Sequence, residues 1–474
     1  MNFKILSYLF LVFIVSNIVA QPVKINGFAP GAEGKTVNIK TYIDQFTFSE
    51  NILAKAIVDQ SGHFSMNIPI ENTLLTKLRI DFSSADFYIE PNKTYDLRLD
   101  SMNYSIDGKS NPFINTKSIN LHINNDDKTE LNNLIQQFNL MFNEFTVQHF
   151  NQIYVLKEKK EVDTFRIMVN KAFPDMSNTF FSNYLNYTVA SLVGLTQYYS
   201  KKGIAKKYFI NQPILYNNPA YMSFFNEYFS KYIIGGSPKI PLNDIDWCVN
   251  KEPNLDALVD SVGKDTLLKN EVLREFVILK GLYEMYYSPN YIQKNVLMLI
   301  DEIALKSKFN EHKVIAKNIQ RDFNKLRKGT TVSDFVLQDI NGVNYGLKDF
   351  KGKYTFIIFW ASWCTPCIME LDAISKVKDN YSKDINFIAI SADIEFLTLK
   401  YYLEKKTFGF PILYFNNNWD LLESYNVKAF PQTMLIDREG KIAYYSPPLP
   451  SQGMERFLKL LLFDKGTKKE EKKQ

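Results

Sequence analysis

Four residues constrain this chain more than any others: Cys364-Thr365-Pro366-Cys367, entered through Phe359-Trp360-Ala361-Ser362-Trp363. The run Thr355-Phe356-Ile357-Ile358-Phe359 has the length and composition of a short buried strand. Pro366 suits the first turn of a helix, where its missing N–H costs nothing. Two cysteines separated by two residues face each other across such a turn and can close a small, reversible disulfide. A strand feeding a C-x-x-C at a helix N-terminus predicts a reactive thiol pair.

The chemistry follows from that placement. The positive end of the helix dipole and its unpaired N–H groups favour the thiolate, and such motifs bring a cysteine pKa down to roughly 3.5–7.5. Cys364, the N-terminal cysteine, is expected to attack a substrate disulfide, and Cys367, one turn deeper, to resolve the mixed disulfide. A zinc half-site and an inert structural bridge are the competing readings. Zinc needs two further Cys or His ligands. The remaining cysteine is Cys248, far upstream, and the histidines are His63, His122, His149 and His312. No metal site is therefore expected, and no cofactor beyond the disulfide itself.

A second element lies where such a site needs it. Ala429-Phe430-Pro431-Gln432-Thr433 leads into the apolar run Met434-Leu435-Ile436, ended by Asp437 to Gly440. A proline entering a sheet must avoid the ladder or adopt a special turn, and a cis X–Pro bond is one way to do so. WCTPC after an apolar strand, with a proline-led strand further on, resembles the thioredoxin fold. More narrowly it resembles the TlpA/ResA-like thiol–disulfide oxidoreductases of the bacterial cell envelope. Leu347-Lys348-Asp349-Phe350-Lys351-Gly352-Lys353, Tyr425-Asn426-Val427 and Leu435-Ile436-Asp437 with Gly440 add to that likeness. It spans residues 329–464.

The resemblance implies a protein-disulfide reductase with Pro431 as a cis-proline against the disulfide and Phe430 lending its backbone to substrate. It implies that Glu370, three residues after Cys367, is the acidic residue that tunes the thiols. Trp360 and Trp363 read as packing groups that shield the disulfide, and Trp363, Thr365, Pro366 and Phe430 form the candidate substrate-facing set. One departure matters, and one competitor within the fold is disfavoured. Thioredoxin proper carries a buried aspartate where this chain has Ile358, so any proton relay is absent or passes to Glu370. A peroxiredoxin needs a hydroxyl residue three positions before its reactive cysteine, and Ala361 stands there. Protein thiols and disulfides, with an upstream thiol electron donor, are the implied partners. Cytochrome c maturation is one pathway the resemblance points to.

Met1 to Ala20 carries one early charge, Lys4, and then an apolar stretch from Ile5 to Phe13 that continues to Ala20. A core this short reads as a secretory signal cleaved before Gln21, with no cysteine there for lipid attachment and no later membrane span. A periplasmic or envelope protein is expected. Three cysteines in 474 residues are too few for a disulfide-stapled scaffold. Cys248 is expected to be buried and inert. The net charge of +5 owes much to the tail, residues 465–474, which holds five lysines against two glutamates and reads as disordered. Nucleic acid is not an expected partner.

The chain is read as multidomain. Residues 21–107 alternate as strands, at Val37–Tyr42, Leu78–Phe82 and Tyr95–Leu99, with turns at Asp59–Gly62 and Pro91–Lys93. That spacing predicts an antiparallel β-sandwich. Residues 126–326 predict an all-α region, with Leu131, Leu134, Ile135 and Phe138, and later Leu297, Leu299, Ile300, Ile303 and Leu305, at helical spacing. Residues 329–464 predict an α/β thioredoxin fold. Its elements are a strand at 355–359, a helix from Cys364 to Asp379, a strand at 385–391 and a helix near 395–405. A strand at 433–437, a strand at 441–445 and a last helix near 452–463 complete it. The alternative is an envelope scaffold protein with a vestigial thioredoxin domain, and the joint presence of Trp363, both cysteines, Glu370 and Pro431 argues against it.

Overall fold

The computed structural model describes residues 21–81, 83–100, 118–124, 127–288, 290–325, 327–427 and 429–470. The expected signal segment, residues 1–20, lies outside the described residues. The first strands bear out the alternating pattern: His63–Ile70 and Thr94–Leu99 bury every second side chain. Two four-stranded sheets result. One pairs Glu50–Ile57, Thr36–Tyr42, Leu74–Ile80 and Ser83–Ile89 in that order, and the other pairs His63–Ile70, Gln21–Phe28, Thr94–Leu99 and Leu121–Ile123. Val23, Ile25, Ile68 and Leu97 of one sheet and Val37, Ile39, Leu78 and Phe87 of the other share one apolar core. The expectation of a purely antiparallel arrangement needs correction, because Gln21–Phe28 runs parallel to Thr94–Leu99. A long-range parallel pair leaves no mark in local alternation. Leu121–Ile123 also carries the β region beyond residue 107.

The middle region is helical from Leu131–Gln148 to Asn310–Asn324, around an aromatic-rich core. The residue expected there that does not join it is Leu305, which is 77% exposed. The β region plugs into this core. Phe46, from the loop after Thr36–Tyr42, is buried with its ring 5.1 Å from Phe276 and 6.3 Å from Phe225. Asp44 holds that loop by accepting from the Phe46 and Thr47 amides at 2.8 and 2.7 Å.

The C-terminal region is built on a seven-stranded sheet. Its order is Asn344–Gly346, Val336–Asp339, Ile412–Tyr414, Ile385–Ser391, Tyr354–Trp360, Gln432–Ile436, Ile442–Tyr445. The central strand Tyr354–Trp360 is buried at every residue, as expected of a strand covered on both faces. It runs parallel to Ile385–Ser391 and antiparallel to Gln432–Ile436. The helices are Thr365–Val377, Phe396–Lys405, Trp419–Ser424 and Met454–Glu470. The last of these continues through residues 465–470, which the sequence reading assigns to a disordered tail.

The β region also seats the C-terminal one. Lys40, almost fully buried, places its ammonium 3.1 Å from Glu50 and 3.2 Å from Glu423 on the short helix Trp419–Ser424. A buried ammonium is tolerable only with such partners. Burial opposes ionisation of Glu50, yet Lys77 and Lys40 together hold its carboxyl below the ordinary range. Lys325 of the helical region donates to the Glu423 carbonyl at 2.8 Å. Among the described residues no helix is long and apolar enough to cross a membrane.

Candidate active site

The central strand delivers the chain to the redox motif at its carboxyl end. After Trp360 the backbone makes one turn, closed by the Cys364 amide donating to the Ala361 carbonyl at 3.0 Å, and enters the helix Thr365–Val377. Cys364 is the N-cap residue, and its sulfur accepts from the Cys367 amide at 3.3 Å. Pro366 lies in the first helical turn, where no amide is required. Cys364 and Cys367 are joined in a disulfide, with their Cα atoms 5.2 Å apart. Cys364 is 7% exposed and Cys367 is fully buried. Cys364 is thus the less buried of the two.

The proline-led strand meets this turn. Gln432 pairs with Phe359 in the antiparallel register, so residue 431 enters the sheet at the end where the redox turn leaves it. The Phe430–Pro431 peptide bond is cis. The Phe430 ring stands edge-on to Trp363, with centroids 6.0 Å apart. Thr365, Pro366 and Ala429 are exposed, and Met369 is 68% exposed. These residues make an open, largely apolar rim beside the disulfide. Trp360 turns the other way, into the core against Tyr402 and Phe408.

Glu370 lies on the helix one turn past Cys367 and is buried. Residues three apart on a helix are neighbours on one face. Its carboxylate is tied down by Ser451, whose amide donates to it at 3.1 Å and whose hydroxyl donates to the other oxygen. Ser451 belongs to the short turn Pro450–Gln452. No periodicity marks that stretch, so the sequence offers no signal for this partner.

A second buried carboxylate also escapes the sequence reading. Asp393 follows the strand Ile385–Ser391 and accepts from the Ser362 amide at 2.9 Å and the Ser362 hydroxyl at 2.7 Å. It also accepts from the Ser391 hydroxyl at 2.5 Å. Burial pushes its carboxyl above the usual range against the pull of these bonds. Ser-Ala-Asp after an apolar strand reads as an ordinary turn unless the contact with Ser362 is seen. Cys248 is buried, and burial raises its thiol pKa.

Residues 329–445 match the model of the AhpC/TSA family. The chain is 32% identical over 119 residues to thiol-disulfide oxidoreductase ResA of Bacillus thuringiensis, a match covering 25% of this chain and 68% of that protein. It is 33% identical over 115 residues to ResA of Geobacillus kaustophilus, covering 24% and 66%. Among solved structures it is similar to a putative thiol-disulfide oxidoreductase from Bacteroides vulgatus. That match has 32% identity and a TM-score of 0.27, and covers 28% of this chain and 96% of that one.

The helix terminus at Cys364, the burial that raises the Cys248 thiol and the full burial of Cys367 make a direct prediction. After full reduction, brief alkylation at neutral pH should label Cys364 well before Cys367 or Cys248, as read by peptide mass spectrometry. Equal labelling of Cys364 and Cys248 would contradict the geometry.

Proposed function

Since the chain belongs, through its C-terminal domain, to the ResA-like thiol–disulfide oxidoreductases, we propose that it is an exported reductase of protein disulfides working through a Cys364/Cys367 dithiol. What carries this reading is the pairing of a slightly exposed cysteine at a helix N-cap with a fully buried second one. The helix terminus favours a thiolate at Cys364. That thiolate attacks one sulfur of a substrate disulfide, the substrate S–S bond breaks, and the departing sulfur takes a proton. Cys367 then attacks Cys364 in the mixed disulfide, closing the internal bond and releasing the second substrate thiol. Two electrons pass from the pair to the substrate. An upstream thiol donor restores the dithiol, and no metal or organic cofactor takes part.

In this proposal Trp363, Thr365, Pro366 and Phe430 form the surface that receives the substrate, with Phe430 and Pro431 presenting backbone to it. Ala361 leaves no hydroxyl where a peroxidatic site needs one, which favours exchange over peroxide reduction. Cytochrome c maturation is one pathway that such a reductant serves. Cys367→Ser should trap a covalent adduct with a disulfide-bearing protein that dithiothreitol releases, and Cys364→Ser should trap none. Adducts formed equally by both variants would refute the assignment of nucleophile and resolving cysteine.

Glu370 is proposed to tune the pair. A carboxylate one helical turn from Cys367 opposes thiolate formation by like-charge repulsion, while the helix terminus promotes it. Glu370→Gln is expected to lower the Cys364 pKa by about half to one unit and to slow disulfide reduction, leaving the fold intact. Thiolate absorbance near 240 nm, titrated in both proteins, checks this, and superimposed curves would make Glu370 a packing residue.

Export rests on the apolar segment that ends at Ala20. N-terminal sequencing of protein from the cell-envelope fraction should begin near Gln21. An intact Met1 in a membrane pellet would overturn it.

A further inference from the structure

Between Trp360 and the helix that starts at Thr365, the chain has left one regular element and not yet entered the next. Its amide and hydroxyl groups there need partners from elsewhere. Ala392 donates to the Trp360 carbonyl at 2.8 Å, which carries the sheet ladder one step past the two parallel strands. That extra rung sets Asp393 beside Ser362. The carboxylate then takes both the amide and the hydroxyl of Ser362, while Ser391 donates to it at 2.5 Å and accepts from the Asp393 amide at 3.0 Å. Ser362 is the second residue of the turn that the Cys364 amide closes on Ala361.

A carboxylate is the side chain suited to this place, because it offers acceptors at both oxygens and no donor. An asparagine of the same shape would set an N–H against the donors. Asp393 touches neither sulfur in the contacts described, so any effect on them runs through the turn. Ile358, fully buried in the central strand, leaves the position used by thioredoxin's own aspartate apolar.

We propose that Asp393 is a positioning residue for the redox pair: by gripping Ser362 it fixes the turn that presents Cys364 to Cys367, and so favours closure of their disulfide. The proposal rests on the exchange reading above. The relevant equilibrium is with glutathione. Two glutathione thiols give up two electrons and become one glutathione disulfide, while the Cys364–Cys367 bond breaks and each sulfur gains a proton.

The test measures that constant for the purified full-length protein, by quenching glutathione mixtures with acid and counting free thiols by mass spectrometry. In Asp393→Asn the constant for disulfide closure should fall about fivefold, the size of one lost buried hydrogen bond. Ser362→Ala, which keeps the amide bond and loses the hydroxyl, should lower it about threefold. The double variant should match Asp393→Asn alone, because both act through one contact. An Asp393→Asn protein that melts lower yet closes its disulfide with the wild-type constant would show a merely structural role and overturn the proposal. So would single effects that multiply in the double variant. Should Asp393→Asn not fold, Ser362→Ala decides, and a wild-type constant there overturns it. A wild-type disulfide that glutathione cannot open would instead overturn the exchange reading, and this proposal with it.

Discussion

Reactivity in this protein depends on the junction between a fully buried strand and the first turn of a helix. The strand Tyr354–Trp360 has no exposed residue, so its end is fixed by packing on both faces. The helix begins within a few residues of that end, with Cys364 at its cap. The unpaired amides and dipole of the helix terminus therefore converge on a sulfur whose position the core dictates. Each additional site feature attaches to this junction. The cis Phe430–Pro431 bond enters beside it through the neighbouring strand, Glu370 projects from the same helix, and Asp393 braces the connecting turn.

Among the described residues, the remaining regions hold this domain without covering the rim beside the disulfide. Contacts from the β and helical regions fall on the helix Trp419–Ser424, through Lys40 and Lys325 on Glu423. Thr365, Pro366 and Met369 are exposed among the described residues. Lys40 is buried beside Glu50 and Glu423, so removing a carboxylate would leave its ammonium short of partners. Phe46 anchors the β region in the helical core by aromatic packing.

Much of the C-terminal fold was legible in the sequence because its elements are long, apolar and periodic. The strand at 385–391 and the strand leading to Cys364 stand out as short runs rich in Ile and Phe. The short strands Val336–Asp339, Asn344–Gly346 and Ile412–Tyr414 were not legible, since three or four residues establish no period. The parallel pairing of Gln21–Phe28 with Thr94–Leu99 was equally hidden. In the site, Cys364, Cys367, Trp363 and Phe430 carry motif signals, and the structure brings them together. Ser451 and Asp393 carry none, because their roles come from hydrogen bonds to residues far away in the chain. Leu305 shows the converse, an apolar residue in phase with a helix face that nonetheless meets solvent.

The central claim is that this strand–helix junction makes a working thiol pair in the intact protein. Reduction of insulin by dithiothreitol, followed as precipitation of the freed B chain, tests it most directly with the wild-type protein beside Cys364→Ser. The account predicts that wild type shortens the lag markedly and that Cys364→Ser performs no better than dithiothreitol alone. Equal rates for the two proteins would contradict it.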